Sequence, residues 1–181
     1  MADAFKNTPP KPEKIGAMTE ENLKAAFAGE SQASQKYLAF SAKAEAEGYP
    51  NVGRLFRAVA YAESMHARNH LSALGGIGGT ADNLRAAWGG ETFEIDEMYP
   101  AYVEVARLQG DKQAFKSMHW ALKAEMDHKR MYAEAREKVL AGGDIAAQPV
   151  SVCLVCGHTV IGDVPDKCPV CAARQAYRTF A

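Results

Sequence analysis

The sequence predicts an all-α protein, an antiparallel four-helix bundle with one crossover connection, followed by a small β-and-turn module held by metal. Three observations predict it. Between about residues 19 and 140 the chain carries long stretches almost free of Gly and Pro, with apolar residues at helical spacing. The breaks between those stretches fall at Gly and Pro clusters. All four cysteines lie between Cys153 and Cys171, in a segment too short to fold on apolar burial alone.

Each element follows in order. A Pro- and Lys-rich leader over residues 1–18 carries Pro9, Pro10 and Pro12 but no apolar run, so neither a secretory signal nor a membrane anchor is expected. The first helix is expected from Thr19 to about Glu47, ended by Gly48-Tyr49-Pro50, and the second from about Asn51 to Leu74, ended by Gly75-Gly76. A glycine-flanked connection with a short helix near Asp82 to Trp88 supplies the crossover. A third helix runs from about Glu91 to Gln109 with a kink at Pro100, and a fourth follows Gly110-Asp111 to Leu140. Residues 19–140 thus form one helical domain. Residues 141–150 have linker composition and an extended reach of at most about 35 Å, and residues 151–181 form the cysteine module.

Composition narrows the function classes. The chain has 181 residues, 48% hydrophobic, with 21 Lys+Arg against 22 Asp+Glu, which is a soluble, near-neutral composition. No basic excess points to nucleic acid, and no segment points to membrane; a cytoplasmic protein is expected.

Charged groups on the apolar stripes carry the chemistry. The first helix places Leu23, Phe27, Glu30, Ser34, Tyr37, Leu38 and Ser41 on its inward stripe. The second places Val52, Leu55, Val59, Glu63, His66, His70 and Leu74 there, with Glu63 and His66 one turn apart. The third gives Glu94, Glu97, Ala101, Val105 and Leu108, and the fourth Phe115, Met118, Leu122, Glu125, His128, Tyr132 and Val139. One Glu-x-x-His pair is an ordinary helix pair, and Glu134 with Glu137 is a solvated face. The arrangement is what matters: Glu30 precedes Glu63-x-x-His66 by 33 residues and Glu94 precedes Glu125-x-x-His128 by 31. Two equivalent halves would converge carboxylates that are tolerable in a core only against compensating cations. Mixed oxygen and nitrogen donors suit two iron or manganese ions, and this is the ligand pattern of di-iron carboxylate bundles.

Cys153-Leu-Val-Cys156 and Cys168-Pro-Val-Cys171 are two CxxC knuckles that can surround one tetrahedral ion. The spacing fits iron or zinc equally.

Taken together, residues 19 to 181 resemble rubrerythrin: a ferritin-like di-iron bundle followed by a rubredoxin-like domain. The motifs that carry the resemblance are Phe27-Ala-Gly-Glu30-Ser-Gln-Ala, Glu63-Ser-Met-His66, Glu94-Ile-Asp-Glu97-Met-Tyr-Pro and Glu125-Met-Asp-His128-Lys-Arg. The resemblance implies two Fe in the bundle and one Fe, alternatively Zn, at the four cysteines. It implies that Glu63 and Glu125 bridge the irons, that Glu30 and Glu97 bind one iron and Glu94 and His128 the other, and that reduction exchanges Glu97 for His66. Tyr37 matches a family tyrosine near the site; Tyr99 and Tyr102 are expected only as outer hydrogen-bond donors or core. His158 stands where a Tyr is usual and is expected as an exposed turn residue, Ala172 stands where many rubredoxins have Gly, and His70 and His119 are expected as outer or surface groups.

The function implied is reduction of hydrogen peroxide to water, with electrons entering through the tetrathiolate iron from an NAD(P)H-dependent reductase or a rubredoxin, in a homodimer. Ferroxidase or iron storage is the alternative. A zinc ribbon serving an interaction or metal-sensing module is the non-catalytic one.

Overall fold

The computed structural model describes residues 15–181, so most of the expected leader lies outside the described residues. The chain forms two compact units, Met1–Gly78 and Gly79–Ala181. The expected linker over 141–150 is irregular chain inside the second unit.

The first unit is a helical hairpin of α1 (Ala17–Ala46) and α2 (Pro50–Ala73). Gly48, at φ +86°, takes the left-handed conformation that closes α1, and Pro50 opens α2 where its missing N–H costs nothing. The seam is built from small residues: Ser34, Ser41 and Ala44 on α1 against Gly53, Ala60 and Ala67 on α2. The sevenfold spacing of Gly53, Ala60 and Ala67 is that of a coiled-coil seam. A Cβ at Gly53 would lie 2.7 Å from Glu45 Cγ and 3.2 Å from the Ser41 carbonyl, so only glycine admits this approach. There Ser41 donates to the Gly53 carbonyl at 2.8 Å, and Arg57 pairs with Glu45.

The expected inward stripes are therefore corrected in part. Leu38, Val52, Leu55, Val105 and Leu108 are exposed, because the contact within each helix pair is made by residues small enough to bring two backbones together.

The second unit begins with one long helical run that the sequence divides in two. α3 (Thr80–Phe93) passes through a π-helical turn, Glu94–Met98, directly into α4 (Tyr99–Gln109). Pro100 causes this: it cannot donate to the carbonyl four residues back, and the wider turn before it, closed by Tyr99 N–H to the Glu94 carbonyl, absorbs the misfit. Gly110, at φ +71°, ends α4, and the Asp111 carboxylate caps α5 (Lys112–Leu140) by accepting from Ala114 N–H at 2.9 Å. The buried contacts here are Val103, Ala106 and Ala124.

The same unit ends in a three-stranded antiparallel sheet of order β2-β1-β3, from β1 (Val150–Cys153), β2 (Thr159–Ile161) and β3 (Tyr177–Phe180). Val152 pairs with Thr159 on one side and Arg178 on the other, which sets both cysteine knuckles at one end of β1. Among the described residues no helix is long and apolar enough to cross a membrane.

Candidate metal centres

Three clusters of donor groups occur among the described residues, each with its ligand atoms within 4.8 Å of one another. In the first unit Glu30 of α1 meets Glu63 and His66 of α2. The i, i+3 spacing lays His66 over Glu63, with Nδ1 2.9 Å from Glu63 Oε2. In the second unit Glu91 of α3 meets Glu125 and His128 of α5, with His128 Nδ1 2.6 Å from Glu125 Oε2 and 3.9 Å from Glu91 Oε1.

Electrostatics in the second cluster follow from crowding. Burial, the charge of Glu125 and its hydrogen bond raise the Glu91 carboxyl to about 7. Glu94 is raised by burial and by Glu125, while Glu125 raises His128 by holding the imidazolium. Tyr99 and Tyr132 are raised by burial and by the carboxylates they face: Glu94, Glu125 and Glu91 for Tyr99, Glu91 and Glu125 for Tyr132.

The residues expected from sequence separate accordingly. Glu30, Glu63 and His66 come together, as do Glu125 and His128. Glu94 lies close enough to Glu125 and His128 to feel their charge but outside the tight cluster, and Glu97 is exposed and belongs to no cluster. The π turn accounts for this: with more residues per turn than an α-helix, the position three after Glu94 swings off its face. Tyr37 packs on Phe40 and Phe56, with ring centroids 6.2 and 6.1 Å away. Tyr102 is exposed, and His119 stacks on Phe115.

Glu91 and Tyr132 are the additions. Glu91 had a legible signal, since Asn22-Leu-Lys-Ala-Ala-Phe-Ala-Gly-Glu30 repeats as Asn83-Leu-Arg-Ala-Ala-Trp-Gly-Gly-Glu91. A second repeat aligns Ala62-Glu63-x-x-His66-x-Arg68 with Ala124-Glu125-x-x-His128-x-Arg130. The counterpart of Glu30 is Glu91, 34 residues before Glu125, closer to the 33 of the first half than Glu94 is.

The third cluster is the four thiols. Cys153 Sγ lies 3.7 Å from Cys171 Sγ and Cys156 Sγ 3.5 Å from Cys168 Sγ, close to the ~3.8 Å edge of a tetrahedron with metal–sulfur bonds of ~2.3 Å. Both knuckles turn on a left-handed residue after the second cysteine, Gly157 at φ +81° and Ala172 at φ +65°. Burial raises the Cys156 thiol; at Cys168 burial is outweighed by N–H groups of Cys171 and Val170 and by the Tyr177 hydroxyl, which lower it to about 6. His158 is not an exposed turn residue: it is 8% exposed, its Nδ1 2.7 Å from Tyr177 Oη and its Nε2 3.6 Å from Asp127. Its neighbour Thr159 reaches the other nitrogen of His128.

These donor sets fit iron. Carboxylates with one imidazole apiece suit a hard divalent ion, and in each Glu-His pair a nitrogen and a carboxylate oxygen in contact call for a proton or a cation between them. Four convergent thiols suit iron or zinc.

The comparisons with known proteins agree. The family model described as Rubrerythrin matches residues 21–136, and that of the rubrerythrin rubredoxin-like domain matches residues 152–177. Rubrerythrin-2 of Clostridium acetobutylicum is 39% identical over 173 residues, covering 88% of this chain and 94% of its own. Rubrerythrin of Porphyromonas gingivalis is 36% identical, covering 90% and 89%. A solved structure described as the fully reduced, all-ferrous state of nigerythrin superposes with a TM-score of 0.54 at 28% identity, covering 97% of this chain and 96% of the other.

Proposed function

The chain belongs to the rubrerythrin family, with that family's ferritin-like and rubredoxin-like domains and iron cofactors, and on this premise we propose that it reduces hydrogen peroxide to water. The observation that carries the reading is the presence, in one chain, of two Glu-x-x-His clusters and a four-thiolate cluster. A storage protein has no use for the last.

The residues that would hold the bundle irons are Glu30, Glu63 and His66 in one half and Glu91, Glu94, Glu125 and His128 in the other. Glu91 and Glu94 take the places that the sequence assigns to Glu94 and Glu97. Cys153, Cys156, Cys168 and Cys171 would hold the third iron. When bound as a ferrous pair, the bundle irons supply the two electrons that convert hydrogen peroxide and two protons to two waters. The protein's part is placement and protons. Glu91, with a carboxyl near 7, can hold and release a proton beside Glu125, and the Tyr99 and Tyr132 hydroxyls keep theirs while facing the same carboxylates. Electrons would come one at a time through the four-cysteine centre from an NAD(P)H-dependent reductase or a rubredoxin, in the cytoplasm. A homodimer is supported by the large apolar side chains that the helix pairs leave exposed, Leu38, Phe40 and Leu55 among them.

Steady-state turnover tests the reading: the iron-loaded protein with a rubredoxin, its reductase and NADH should consume hydrogen peroxide. Consumption of dioxygen in preference to peroxide would move the assignment to a ferroxidase, and no turnover with zinc retained at the cysteines would move it to a structural module.

A further inference from the structure

Thr159 stands in β2, three residues after Cys156, and its Oγ1 lies 2.8 Å from Nε2 of His128 on α5. The hydroxyl's only proton is already committed, because it donates to the Gly157 carbonyl at 3.0 Å. Oγ1 can then only accept, so the imidazole proton sits on Nε2. That leaves the Nδ1 lone pair facing Glu125 Oε2 and Glu91 Oε1, at 2.6 and 3.9 Å.

We propose that Thr159 is a positioning residue for the second bundle cluster: its hydroxyl holds His128 in the Nε2–H form and aims Nδ1 at the ion. The proposal rests on the reading of His128 as a metal ligand. A ligating imidazole ordinarily gives its other N–H to a carboxylate or carbonyl, which fixes ring orientation. Here the acceptor is a hydroxyl relayed to a carbonyl, and it comes from the cysteine module. The adjacent pair reinforces it, since His158 faces Asp127 while Thr159 faces His128, two consecutive residues of the module engaging two consecutive residues of α5. The module thereby supports the carboxylate cluster instead of swinging on a free tether.

Thr159→Val keeps the β-branched shape that suits the strand and removes only the acceptor. Thr159→Ser restores it. The full chain, loaded with Zn(II) and labelled with 15N at histidine, gives two readouts that need no turnover: solvent exchange of the His128 Nε2–H proton, identified by its loss in His128→Gln, and Zn(II) affinity of the bundle from chelator competition. Wild type and Thr159→Ser should show a slowly exchanging N–H, and Thr159→Val should lose it with a roughly 10–100-fold drop in affinity. A protected N–H and wild-type affinity in Thr159→Val, with an ion lost in His128→Gln, would overturn the positioning role and leave the ligand assignment standing. Equal losses in Thr159→Val and Thr159→Ser would overturn it too, by tracing the effect to packing. Full Zn(II) stoichiometry in His128→Gln would overturn both readings.

Discussion

Glu91 is where two carboxylates and an imidazole compete for charge, and it sets what single substitutions should do. Glu91→Gln is expected to weaken iron binding at its cluster by roughly 10–100-fold and to lower peroxide turnover, while Glu97→Gln, exposed and outside the cluster, should leave both near wild type; iron titration with turnover checks the pair. Because the Glu91 carboxyl keeps its proton up to about 7, iron uptake there should weaken as pH falls through that value, read from metal occupancy against pH. In the metal-free protein the same shift has the opposite sign for stability. A raised carboxyl favours the folded state most below its ordinary 4.5, and that contribution is lost as pH rises through about 7. Most of the cluster residues were legible, since Glu30, Glu63, His66, Glu125 and His128 sit at helical spacing and do come together. Glu91 was missed because the Glu94-x-x-Glu97 spacing is as good on paper, and only the π turn, or the repeat ending in Glu30 and Glu91, separates the two. His158 was read as a turn residue because a hydrogen bond to Tyr177, 19 positions away, leaves no local signature.

At the scale of elements, helix ends were legible and faces were not. Gly48-Tyr49-Pro50, Gly75-Gly76 and Gly110-Asp111 stop or cap helices for local reasons, and the observed ends fall within a residue or two of them. Faces depend on which partner each helix meets. A stripe of Leu and Val predicts the larger apolar surface, whereas the hairpin seams use Ser, Ala and Gly. The joining of the short helix near Asp82–Trp88 to the next is likewise a matter of backbone geometry, because a proline can be absorbed by a widened turn as well as by a break. In the cysteine module the two knuckles differ in one respect: Gly157 takes the left-handed conformation at no steric cost and Ala172 does not. Ala172→Gly should relieve this and stabilise the module by about 0.5–1 kcal/mol after the entropy of the added glycine is counted. The denaturant midpoint for loss of the tetrathiolate-iron absorbance would show it as an upward shift.

Across the whole molecule, the sequence placed every helix and the metal module in the right order, and the compact units divide at Gly78–Gly79 rather than at the expected linker. Composition cannot reveal that difference, because residues 141–150 have linker chemistry whether or not the segment after them is tied to α5 by Thr159 and His158. The four cysteines were fully legible, since two CxxC knuckles leave few alternatives to a tetrahedral ion. Their role in peroxide reduction is tested most directly by a single turnover. The iron-loaded protein, reduced without oxygen, is mixed rapidly with hydrogen peroxide or with dioxygen while the tetrathiolate-iron absorbance is followed. Prompt return of the oxidised absorbance with peroxide, and a much slower return with dioxygen, is the expected result; faster return with dioxygen, or none with peroxide, would contradict it.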